Sequence, residues 1–176
     1  AERALCHVQP QGVAVDQAEF ERAADQAEAT TQPEVRALAL DVMAAHEGTL
    51  RDWFALRRGA ALLEAGDNEA ALDAYREALE SVDSDVQLGA RLGRVIALLR
   101  TDARDAEEEA RQLRMRYPEL PEWPHVKVEI GAYNERRNDD DDAADAYRWV
   151  LIQTPGHRAV ASAEAGLAAM RARGVE

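Results

Sequence analysis

The chain has 176 residues, enough for about one domain, and carries 34 acidic against 21 basic side chains, a formal net charge of −13. That balance repels phosphate and argues against a nucleic-acid partner. The single cysteine, Cys6, excludes a disulfide framework, and the longest uncharged apolar run, Val95 to Leu99, falls far short of the ~20 residues of a membrane-spanning helix.

Thirty-six alanines, sparse β-branched residues and 5% aromatics point to an all-α protein. Residues 1–15 lack a sustained period, contain Pro10 and Gly12, and read as an extended arm. They hold no basic segment followed by an apolar one, so no signal peptide is expected. A first helix opens at Asp16, with Glu19 completing a capping-box variant, and runs to about Thr30. Pro33 suits the first turn of a second helix. Its apolar face is Val35, Leu38, Ala39, Val42 and Met43, and Gly48 ends it. This N-terminal pair spans 16–48. Next come Thr49–Ala65, a turn at Gly66-Asp67-Asn68, Glu69–Val82, and Val86–Arg100 after Asp83-Ser84-Asp85. Thr101-Asp102 then opens Ala103–Arg116, and Pro118, Pro121 and Pro124 bracket a turn. Val126–Arg137, Asp140–Gln153 and His157–Arg173 complete nine helices, the last closed by Gly174. Short turns between such helices predict antiparallel neighbours.

Three of the helix pairs superpose. In the first, residues 52–85, the marks are Gly59, the turn at Gly66-Asp67, then Ala71, Tyr75 and Ala78. Gly93, Ala106, Ala110, Leu113 and Pro118 take these roles in 86–120, with an insertion at Arg100–Arg104. Gly131, Ala143, Tyr147, Val150 and Pro155 take them in 124–157, and residues 158–173 form a closing helix. The pattern resembles the tetratricopeptide repeat, of about 34 residues, in which small residues let two helices approach and an aromatic packs between units. The resemblance covers about residues 52–173. It implies a right-handed α-solenoid whose concave face, built from the first helix of each pair, binds a peptide or protein segment. The groove residues so implied are Trp53, Leu56, Ala60, Gln87, Arg91, Arg94, Leu98, Val128, Ala132, Glu135 and Arg136. Arg91 and Arg94 stand out as contacts for an acidic or carboxylate-bearing ligand. The family's carboxylate clamp is not reproduced, because Leu56 and Ala60 occupy two of its positions and only Arg91 fits.

The function this implies is a non-enzymatic protein–protein interaction module without a cofactor. A self-assembling or envelope-complex subunit is the alternative, which allows a homo-oligomer. The phrase LRMRYPELPEW resembles the repeat ends of bacterial envelope members of the family. The same motif occurs in the helical part of lytic transglycosylases, a third and weaker reading. Arginine in place of lysine and abundant alanine suggest a GC-rich bacterial genome, and a lone cysteine suits cytoplasm and periplasm alike. Asp139–Asp142 reads as a helix start, where acids complement the dipole and cap free N–H groups; a Ca²⁺ or Mg²⁺ site is the sharper reading. His7, His46, His125 and His157 are scattered, without zinc-ligand spacing. Trp123, between two prolines, reads as a staple in the inter-repeat turn, or as an exposed anchor for a partner.

Overall fold

The computed structural model describes residues 17–45 and 50–175. The N-terminal arm, Cys6, His7, the cap at Asp16, His46 and the stop at Gly48 lie outside the described residues. Among these there are nine helices and no strand: α1 (Gln17–Ala29), α2 (Pro33–Ala44), α3 (Arg51–Ala65), α4 (Asn68–Ala78), α5 (Ser84–Arg100), α6 (Ala106–Arg116), α7 (Trp123–Arg136), α8 (Asp140–Gln153) and α9 (Val160–Ala172). Each packs against its neighbours in sequence, and beyond these only α3 with α5, α5 with α7 and α7 with α9 meet. The helices therefore form a linear stack. No described helix is long and apolar enough to cross a membrane.

Two tyrosines set the spacing of the stack. Tyr75 of α4 is 2% exposed, and its ring lies where a Cβ on either Gly59 of α3 or Gly93 of α5 would have to go, 2.6 and 2.5 Å from Cε1. Gly59 and Tyr75 stand eight residues either side of Asp67, so their contact makes α3 and α4 antiparallel. Tyr147 of α8 repeats the arrangement between Gly131 of α7 and Gly166 of α9, each virtual Cβ falling 2.5 Å from its ring. Ala71, Ala78, Ala106, Ala110, Ala143 and Val150, the other repeat marks, are all buried. In the middle unit Ala110 is too small to act as a wedge, and α7 supplies Trp123 and Tyr133 to the same core cluster instead.

A second periodicity lies at the helix ends. The residues following α3, α5, α7 and α9 that turn the chain left-handed are Gly66, Asp102, Asn138 and Gly174, with φ of 83°, 55°, 60° and 84°. They recur every 36 residues. At each, the next residue's N–H reaches back to a carbonyl five residues earlier: Asp67 to Leu62, Ala103 to Leu98, Asp139 to Asn134 and Val175 to Met170, at 2.9 to 3.1 Å. This is the Schellman closure, which satisfies carbonyls the helix leaves without partners. Asp102 thus closes α5 rather than opening the next helix, and α6 begins at Ala106 instead of the expected Ala103. Helix α7 begins at Trp123, earlier than expected, because Pro124 fits its first turn. Asp67 and Asp83 cap α4 and α5 through their side chains, whereas the Asp139 side chain makes no such bond to α8.

A left-handed backbone costs a non-glycine residue about 1 kcal/mol. Asn138→Gly, at an exposed position, should therefore stabilise the protein by roughly 0.5–1 kcal/mol in urea titration. Asp102→Gly should gain less or lose, because the Asp102 carboxylate accepts from Arg136 Nε at 2.8 Å. Equal gains at both sites would count against this reading of the closure.

Candidate binding surface

From α3 to α9 the odd-numbered helices touch one another in succession. The sequence-predicted groove residues all sit on α3, α5 and α7, but the structure puts them to different uses. Leu98 is 8% exposed and belongs to the core cluster beneath α6 and α7, so it lines no open groove. Leu56 packs against Gly89 of α5, whose missing side chain leaves room for it. Gln87 donates from Nε2 to the Ser81 carbonyl at 2.6 Å, which ties down the start of α5. Glu135 accepts the Tyr147 hydroxyl at 2.6 Å and Arg173 Nη2 at 2.5 Å, joining α7, α8 and the end of α9. Burial, then that carboxylate, push the Tyr147 hydroxyl pKa well above its ordinary value. Arg136 donates to Asp102 and, at 2.6 Å, to the Leu99 carbonyl. Val128 packs toward α8 and α9. Ala132 is half-buried, Ala60 is exposed, and Trp53 is 43% exposed.

Arg91 and Arg94 do come together, in a notch of about 130 Å³ between α5 and α6 that they share with Arg116 and Glu109. Arg94 Nη2 donates to Glu109 Oε1 at 2.7 Å. Arg94 thus turns to the second helix of its own hairpin, to Glu109 in the first turn of α6, and Arg91 lines the same notch.

Arg100 is a joint that helical periodicity does not single out. Its guanidinium donates to the Leu63 carbonyl of α3 at 3.0 Å and to Glu129 of α7 at 3.1 and 2.5 Å, so one side chain connects three odd helices. The bond to Glu129 holds its proton more tightly than usual. Arg136 does the same to Leu99 one period later. In each case a cation at a helix end meets the carbonyls of the preceding odd helix, the favourable sense of the helix dipole. The signal was present as arginines 36 positions apart, 100 and 136, each near the end of a first helix.

The stack opens between α1 and α3, whose backbones do not approach. The Phe20 and Phe54 rings meet there, edge to face at 5.8 Å. The resulting cleft holds about 380 Å³. Leu40, Met43 and Phe54 are its buried floor, and Trp53, Arg36 and Arg57 stand at its rim. Trp53 packs edge-to-face on Phe54 at 5.3 Å, and the Arg57 guanidinium lies 5.4 Å over its ring. Arg36 is tied to Glu64 at 2.8 Å. An exposed indole beside an apolar floor, with an arginine that among the described residues engages only that indole, is suited to an apolar anchor with a nearby acid.

A larger cleft of about 450 Å³ lies among α2, α3 and α4, with Leu38 exposed in it and Glu34, Asp41, Asp67 and Asp73 around it. Arg58 closes one side by bonding to Asp41 and Glu77. None of the predicted groove residues lines it. No group of three His, Cys, Asp or Glu side chains among the described residues is placed to hold a metal ion. No family model, curated protein or solved structure matches the chain.

Proposed function

We propose that this chain is a non-catalytic helical-repeat module of the tetratricopeptide type that holds a peptide or protein segment on its odd-helix side. The Trp53 cleft is the anchoring point. The observation that carries this reading is the exposed Trp53 ring at the rim of a cleft with an apolar floor, at the end of a stack whose other odd-helix junctions are closed. The repeat assignment is supported by the two tyrosine wedges and by the 36-residue recurrence of the helix closures. A partner would insert an aromatic or aliphatic side chain against Leu40, Met43 and Phe54. Arg57 would meet an acidic group beside it, setting register.

Trp53→Ala tests this. The change should alter stability by less than about 1 kcal/mol and lower partner recovery in affinity capture about tenfold or more, as hot-spot tryptophans do. Ile152→Ala, an exposed apolar residue on α8, should leave recovery unchanged. Undiminished capture by Trp53→Ala would remove the cleft from the interaction.

A further inference from the structure

The chain contains one lysine, and the structure places it beside an arginine, with no counter-ion for either among the described residues. Lys127 of α7 and Arg114 of α6 line a cleft of about 300 Å³ between these two helices. Both cations converge on the Trp149 ring, Arg114 Cζ at 5.2 Å and Lys127 Nζ at 5.9 Å, and Arg114 also lies 5.1 Å over Trp123. Neither has an ion-pair partner within 4 Å among the described residues, in a protein of net charge −13. The third cation of the cleft, Arg111, is fully engaged, donating to both oxygens of Glu108 at 2.9 and 2.7 Å. Arg114 Nη1 is buried without any hydrogen-bond acceptor. Burial, followed by the charge of Arg114, holds the Lys127 pKa below its ordinary value; Asp142 and Glu107 oppose this shift.

We propose that the α6–α7 cleft is a carboxylate-binding site, in which Arg114 and Lys127 together take up an acidic side chain of a peptide. Two like charges held together by aromatic faces repel each other, and an anion between them relieves that repulsion while giving each a charge-assisted hydrogen bond. The guanidinium fork presents paired donors that match the two oxygens of a carboxylate. Ala110 and Ile130 in the cleft wall and Met115 at its exposed mouth suit the methylenes of a glutamate. Glu107, also in the lining, and Asp142 nearby disfavour a phosphate dianion relative to a singly charged group. This site is separate from the Trp53 cleft and does not depend on it.

The single lysine makes the test direct. Reductive ¹³C-methylation keeps the charge and gives one lysine signal. Titration with an acetylated, amidated hexapeptide containing two glutamates should shift that signal saturably and raise the Lys127 pKa. The glutamine version of the peptide should do neither, and Arg114→Gln should weaken binding at least about tenfold. Trp53→Ala should bind the glutamate peptide as wild type does, which keeps the two sites distinguishable. Should Arg114→Gln lose its native circular dichroism, Lys127→Gln read through the tryptophan indole ¹⁵N–H signals replaces it, with the same expected loss. The proposal is overturned if millimolar glutamate peptide produces no saturable shift, if the glutamine peptide matches it, or if inorganic phosphate binds more tightly.

Discussion

Gly93→Ala should destabilise the protein by about 2 kcal/mol in the native sequence and stabilise it by about 1 kcal/mol once Tyr75 is replaced by alanine. The added methyl would fall 2.5 Å from Tyr75 Cε1. An exposed tyrosine would swing away at little cost. This one is 2% exposed and faces Gly59 on its other side, at 2.6 Å from a virtual Cβ, so it has nowhere to go. Overpacking of that kind costs about 1–3 kcal/mol, against which alanine's better helix propensity returns about 1. Tyr75→Ala alone should cost about 3–5 kcal/mol by opening a cavity between three helices. With the ring gone, the propensity gain is all that remains, and the sign of Gly93→Ala reverses. Urea denaturation of the two single variants and the double variant closes the cycle. A destabilising Gly93→Ala in both backgrounds would show that the glycine is required for something other than this ring.

The same wedge shows what a sequence reveals of such a stack and what it conceals. Gly59, Gly93 and Gly131 were legible, because glycine inside a strong helical pattern is unfavourable and calls for a packing reason. Gly166 does the same work against Tyr147, but among the described residues the last helix has no second helix after it whose pattern would mark that glycine. The helix closures were half visible. Gly66 and Gly174 announce a left-handed turn, whereas Asp102 and Asn138 use residue types that also open helices, so residue type alone puts Asp102 on the wrong side of its turn. The groove was less legible still. Helical periodicity places Arg94, Glu135 and Arg136 on one side of their helices but does not say what a long side chain reaches once folded. Arg94 turns to Glu109, Glu135 to Tyr147 and Arg173, and Arg136 to Asp102 and the Leu99 carbonyl. Each pairing depends on the register between helices, which the sequence expresses only through the packing of small residues. Trp53 kept its exposure because α1 stands away from α3, a gap that no local pattern announces.

Trp123→Ala should remove about 3–5 kcal/mol and should loosen α6 before any other described helix. The indole is 3% exposed and donates from Nε1 to the Tyr117 carbonyl at 2.7 Å, so it staples the turn between α6 and α7 and is not an exposed anchor. Its importance follows from Ala110. Where α4 and α8 each carry a tyrosine between two first helices, α6 carries a methyl group, and the space beneath it is filled from α7 by Trp123 and Tyr133. Arg114 of α6 lies over the same indole. Without the ring, α6 keeps its contacts to α5, including the Arg94–Glu109 pair, but loses its main apolar support from α7. Amide hydrogen exchange should then show protection in α6 falling far more than in α3 and α4, which rest on their own wedge at Tyr75. Trp123→Phe keeps most of the volume and forfeits the bond to Tyr117, so it should cost only about 1–2 kcal/mol and leave α6 protected. A uniform loss of protection along the whole stack would mean that the helices unfold as one cooperative unit and that α6 has no separate dependence on Trp123.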